Sequence, residues 1–96
     1  MSDVVTEAVA ALTAKLDGAG FDGSAKFVIE GEGSIILDTA GVRVGDEGAD
    51  CILSADAKTF QSILAGDASA TAAFMEGRLR IDGDMGVAMR LGKFLG

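Results

Sequence analysis

Apolar side chains first recur at the spacing of one helix face. Val5, Ala8, Val9, Leu12 and Leu16 follow that rhythm and predict a helix over 4–16. Asp3, Glu7, Lys15 and Asp17 lie mostly elsewhere; Ser2 or Asp3 can cap its start, and Gly18 suits its end. Residues 18–23 read as a loop. The period then drops to two. Ala25, Phe27 and Ile29 alternate with Lys26 and Glu30, which predicts a strand over 24–30. Gly31-Glu32-Gly33 turns the chain into a second strand around Ile35-Ile36-Leu37. Thr39-Ala40-Gly41 turns it again into a short third, Val42-Arg43-Val44. An acidic glycine loop, Gly45-Asp46-Glu47-Gly48, leads to a fourth at 50–54. Strands this close, joined by short turns, read as an antiparallel meander.

Helical spacing returns at Asp56, a good N-cap for a helix through Ala65 with Phe60, Ile63 and Leu64 on one face and Gly66 at its end. A second short helix follows at roughly 69–76, capped by Ser69. Arg78-Leu79-Arg80-Ile81-Asp82 alternates strictly, so Leu79 and Ile81 face inward from a fifth strand. Asp84 caps a last helix, 85–95. Its apolar residues form two stripes: Met85, Ala88 and Met89, then Val87, Leu91 and Phe94. A helix apolar over most of its circumference must be covered on two sides, one by the sheet and the other by a ligand, a partner chain or another helix. The reading is one α+β domain over 1–96, in the order α-β-β-β-β-α-α-β-α.

Composition then removes function classes. The net charge is −7, which argues against nucleic acid as a partner, because phosphates must meet a cationic face. The charge is uneven: residues 1–77 sum to −9 and residues 78–96 to +2. The C-terminal segment is thus an apolar, slightly basic candidate contact surface on an acidic body. No run reaches the ~18 apolar residues of a membrane span. No signal peptide is visible, and a cytoplasmic location is expected. Cys51 stands alone, which fits a reducing compartment and a small buried hydrophobe better than a nucleophile. Histidine is absent, so no Ser-His-Asp triad can be built and the commonest metal ligand is missing. Asp46, Glu47 and Asp50, or Asp82 and Asp84, do not match calcium-loop spacing. No catalytic residue, metal or cofactor is predicted.

The last third is richer. Met75, Met85 and Met89 cluster after Phe60, Ile63, Leu64 and Phe74, and methionine suits irregular, adaptable binding surfaces as well as plain cores. The run Gly48-Ala49-Asp50-Cys51-Ile52-Leu53-Ser54, followed by Phe60 and by Gly66-Asp67, resembles the sterol carrier protein-2 domain family. The resemblance is closest over Ala73-Phe74-Met75-Glu76-Gly77-Arg78-Leu79-Arg80-Ile81-Asp82-Gly83-Asp84-Met85-Gly86-Val87-Ala88-Met89-Arg90-Leu91, and weakest before residue 24.

That resemblance implies a five-stranded, mostly antiparallel sheet with helices packed on one face and an apolar tunnel between them. It implies binding and transfer of a fatty acid, fatty acyl-CoA, sterol or phospholipid, without catalysis or cofactor. The implied tunnel residues are Phe60, Ile63, Leu64, Phe74, Met75, Leu79, Ile81, Met85, Ala88 and Met89, with Val87 and Leu91 beside them and Leu12, Leu16, Phe27, Ile35 and Leu37 closing the far wall. Glu76 stands where many members carry Gln and is a candidate contact for a polar head group. The chain ends at Lys93-Phe94-Leu95-Gly96 without the family's longer tail or its peroxisomal Ser-Lys-Leu address. Expected partners are a lipid ligand and a membrane met transiently through Val87, Arg90, Leu91 and Phe94, with the chain a monomer or weak homodimer. The alternative is an interaction or accessory module docking a partner or a second copy through the apolar C-terminal helix.

Overall fold

The computed structural model describes residues 3–16 and 21–95; the predicted caps at Ser2 and Gly18 lie outside them. Helix α1 spans Asp3–Leu16, and strands β1 Ala25–Glu30, β2 Gly33–Asp38, β3 Gly41–Val44 and β4 Cys51–Asp56 follow. Helices α2 Ala57–Ala65 and α3 Ala70–Met75, strand β5 Arg80–Gly83 and helix α4 Met85–Leu95 complete the chain. The element order is the one read from the sequence. Local chemistry explains the boundaries of the later helices. The Asp56 carboxylate accepts from the Thr59 N–H at 2.8 Å at the start of α2, and the Ser69 hydroxyl accepts from the Ala72 N–H at 3.0 Å at the start of α3. Gly66 closes α2 in the left-handed region, at φ 84°. The Asp84 carboxylate accepts from the Gly86 and Val87 N–H groups and opens α4.

The five strands form one sheet in the order β3-β2-β1-β4-β5. Here the meander reading is corrected. The first three strands do run as an antiparallel meander, but β4 pairs in parallel with β1, Ala25 opposite Cys51 and Glu30 opposite Asp56. β5 then pairs antiparallel with β4. Parallel pairing requires the chain to return from the end of β3 to the start of β4. The loop after Val44 makes that crossing over one face of the sheet. Gly45 packs against Ile36, Asp46 meets Lys26 at 2.9 Å, and the Asp50 N–H donates to the Ser24 hydroxyl at 2.9 Å. Ile36 is therefore buried on a face that carries no helix.

The opposite face holds the core. Ala25, Phe27, Ile29, Ile35, Leu37, Cys51, Leu53 and Ala55 point into it, alternating, except at the buried Ile36, with polar or half-exposed neighbours. Onto it pack Val5, Ala8, Leu12 and Leu16 of α1, Phe60 and Ile63 of α2, Ala70 and Ala73 of α3, and Val87, Leu91 and Leu95 of α4. Phe60 meets Phe27 edge-on, with centroids 5.8 Å apart. Leu12, Phe27, Ile35 and Leu37, expected to close the far wall of a tunnel, are fully buried core side chains, and Leu16 is buried beside them.

Candidate functional site

The fourteen residues after α2 fold so that α3 and α4 lean together over the β4–β5 edge. Gly92 of α4 lies beside Thr71 of α3: a Cβ there would make ordinary contact, 3.9 Å from the Thr71 hydroxyl oxygen. Between these elements lies a partly open cleft of about 420 Å³. That is within the range of about 300–1,000 Å³ typical of small-molecule sites. Its floor is Leu53 of β4 with Leu79 and Ile81, and its walls carry Phe74 from α3 and Met85, Ala88 and Met89 from α4. The wall is overwhelmingly apolar. Its polar lining residues are Thr71 and Lys93, at the end marked by Gly92.

The cleft gathers Phe74, Leu79, Ile81, Met85, Ala88 and Met89 of the residues singled out from the sequence. Leu79 is buried but precedes the strand, because β5 begins at Arg80. Phe60 and Leu64 line a separate cleft of about 330 Å³ between α1 and α2, together with Val4, Ala8 and Gln61. Ile63 lies in the core, 1% exposed, and Met75 is 81% exposed and lines neither cleft. Glu76 does not reach the cleft either; its carboxylate is bridged to Arg78 at 2.7 Å. The sequence reading omitted Leu53, Ala70, Thr71, Gly92 and Lys93. Lys93 was within reach of it, since it continues the Met85–Met89 stripe by one further helical turn.

Helix α4 resolves its two apolar stripes unequally. Val87 and Leu91 enter the core, and Phe94 packs against Phe21 with ring centroids 6.0 Å apart. The expectation that Val87, Leu91 and Phe94 face a membrane is thereby corrected: the stripe left outward is Met85 and Met89. The electrostatics add no catalytic feature. Burial raises the Cys51 thiol above its ordinary value, assisted by Asp84 and Asp82. Hydrogen bonds from Thr59 hold Asp56 below the usual carboxylate range, and the Arg43 guanidinium does the same for Asp38. Among the described residues no three His, Cys, Asp or Glu side chains gather to hold a metal, and no helix is long and apolar enough to cross a membrane.

An apolar cleft between helices and the edge of a five-stranded sheet invites comparison with known proteins, and the model of the SCP-2 sterol transfer family matches residues 6–96. The chain belongs to that family. Hydroxysteroid dehydrogenase-like protein 2 of Xenopus laevis is 40% identical over 79 residues, which cover 74% of this chain and 19% of that protein. The chain spans about a fifth of the length of the curated relatives it matches first. The crystal structure of sterol carrier protein 2 like 2 from Aedes aegypti shares the fold with a TM-score of 0.81 at 17% identity, over 94% of both chains. The solution structure of Aedes aegypti sterol carrier protein-2 in complex with palmitate does so with a TM-score of 0.79 at 20% identity, over 100% of this chain and 97% of that one. Within the SCP-2 family the helix layer and the sheet are thus a shared frame.

Proposed function

We propose that this SCP-2 domain is a non-catalytic carrier that holds the tail of a single-chain amphiphile in the cleft between α3, α4 and the β4–β5 edge. The carrying observation is the distribution of polarity in that cleft: an apolar wall whose polar lining residues are Thr71 and Lys93, on either side of the Gly92 approach. A tail would lie against Leu53, Phe74, Leu79, Ile81 and Met89, and an anionic head would meet the Lys93 ammonium and the Thr71 hydroxyl. A fatty acid has that shape and charge. The palmitate held by the Aedes aegypti relative supports the same class of ligand.

The energetics are passive. At about 0.8 kcal/mol per buried methylene, a dozen methylenes contribute roughly 10 kcal/mol before ordering costs. Flexible methionines at the mouth favour breadth over sharp selectivity. Displacement of a fluorescent fatty acid by unlabelled palmitate, palmitoyl-CoA and cholesterol tests the reading. Palmitate should compete best, and absence of binding by every one of these would refute it.

A second reading draws on the Xenopus laevis relative, in which the matching segment is 19% of the protein. There the domain would present its lipid to a separate catalytic domain. Transfer of palmitate to acceptor vesicles by this chain alone favours the first reading, and tight retention favours the second.

A further inference from the structure

Strand β5 ends the sheet, bonded to β4 on one side and to no strand on the other. The ladder shows which backbone groups its free edge offers. The Asp84 N–H donates to the Asp50 carbonyl at 2.8 Å, one step beyond the Cys51–Gly83 pair. Antiparallel pairs alternate between bonded and unbonded, so Asp82 and Arg80 also turn their N–H and C=O groups toward β4, and Ile81 turns its own outward. The Leu79 N–H, outward as well, is taken by the Ala73 carbonyl at the end of α3, at 3.2 Å. Side chains alternate too. Ile81 lines the cleft, so Arg80 and Asp82 stand on the helix-free face. Both are exposed, and neither has an ion-pair partner among the described residues. The opposite edge differs: Arg43 of β3 is bridged to Asp38 at 2.9 Å and to Glu47 at 3.1 Å. Charges on an edge strand usually keep other strands away. The signs here do the reverse. Arg78, Arg80, Asp82 and Asp84 are antisymmetric about Ile81, so a second copy running antiparallel presents the opposite sign at each of these positions.

We propose that two copies of this chain associate through β5, antiparallel and centred on Ile81, joining their sheets edge to edge. The Ile81 N–H of each copy donates to the Ile81 carbonyl of the other, and the two-fold axis between them makes the contact self-complementary. Arg80 then stands opposite Asp82 of the second copy, and Asp82 opposite its Arg80, in the closer, unbonded kind of pair. Charge selects this register. A shift that set Arg80 against Arg80, or Asp82 against Asp82, would oppose like charges at the axis. The axis runs perpendicular to the sheet, so both helix layers lie on one side of it. The end of α3 hangs over this same edge, as its bond to Leu79 shows, with Phe74 43% and Met75 81% exposed. The second copy covers part of that apolar surface, which adds to the small contribution of exposed ion pairs. The contact is short, so the dimer is weak and depends on concentration. It is independent of the carrier reading, and its test needs no ligand in the cleft.

Sedimentation at rising concentration, combined with charge exchange, reads the contact directly. The unaltered chain should pass from monomer to dimer. Arg80→Asp sets like charges across the axis and should weaken the dimer by about tenfold, and Asp82→Arg should do the same. Mixed in equal amounts, the two variants should associate at least as tightly as the unaltered chain, because one is acidic and the other basic at both positions. Hydrogen exchange of the unaltered chain gives a measure that needs no variant. The Ile81 amide should become protected as concentration rises, while the Asp82 amide, already bonded to β4, should be protected throughout. The proposal is overturned by a chain that stays monomeric at millimolar concentration, or by a dimer that neither variant weakens. It is equally overturned by folded variants that fail to associate when mixed, or by an Ile81 amide that exchanges freely in the dimer.

Discussion

Met89 and Leu91 stand two residues apart on α4 and face opposite ways: Leu91 is fully buried in the core, and Met89 is 71% exposed at the mouth of the apolar cleft. Two residues advance a helix by more than half a turn, so stability and ligand contact can be separated by neighbouring substitutions. Leu91→Ala should cost about 2–5 kcal/mol, since it leaves a cavity among close-packed side chains. Met89→Ala should stay within about 0.5 kcal/mol in stability and weaken fatty-acid binding. Urea denaturation and fluorescent displacement, run on both variants, read the two effects apart.

Lys93 tests the orientation of the ligand. Lys93→Gln removes the charge at the polar end of the cleft and keeps most of the side-chain length. Palmitate should bind about 0.5–1 kcal/mol more weakly, as expected for an exposed charge pair. The corresponding long-chain alcohol, which has no charge to meet, should bind as before. Equal losses for both ligands would place the head group elsewhere.

Gly83 is irreplaceable for a backbone reason. Its φ is +97°, and a Cβ there would collide with the Asp50 carbonyl oxygen while lying 3.1 Å from the Cys51 Cα. It stands opposite Cys51 at the end of the β4–β5 ladder. Gly83→Ala should destabilise by about 1–3 kcal/mol from strain alone, with the collision adding to it. Thiol labelling under native conditions gives a second measure. Cys51 should be inert in the unaltered chain, where burial raises its thiol, and label faster in the variant as the β5 edge opens.

The caps also make stability depend on pH. Asp56 and Asp38 are both held below their ordinary carboxylate values in the folded chain. A depressed folded value means that the unfolded state binds more protons as pH falls. The stabilisation is therefore present above the ordinary carboxylate range and lost as pH drops through the folded values. Denaturation midpoints should fall in acid, and Asp56→Asn, which keeps an N-cap oxygen without the charge, should flatten that fall. A midpoint independent of acid pH in the unaltered chain would contradict the assignment.

How much of this was legible in the sequence follows from which forces are local. The period of Val5, Ala8, Leu12 and Leu16, the alternation through Phe27 and Ile29, and the caps at Asp56, Ser69 and Asp84 act within a few residues, and they set every element and its order. The run around Phe74 to Leu91 identified the family by its spacing. The partner of β4 was not written in that way. Nothing in Cys51-Ile52-Leu53 tells β1 from β3 as a neighbour, because either would cover the same apolar face. The choice depends on the loop after Val44 crossing the sheet and burying Ile36.

The same limit governs the site. The sequence determined that α4 carries two apolar stripes and that methionines gather near its start. Only the packed molecule decided which stripe turns inward. Leu91 and Val87 fit the space over β4, and Phe94 meets Phe21, contributed from far away in the chain. Met85 and Met89 are left outside as a consequence. It also divided the expected lining between two clefts, with Phe60 and Leu64 beside α1 and Phe74, Leu79 and Ile81 beside α4. Residue pattern fixes which faces must be covered; what covers them is settled by shape and by contacts between segments distant in sequence, and no local rule contains those.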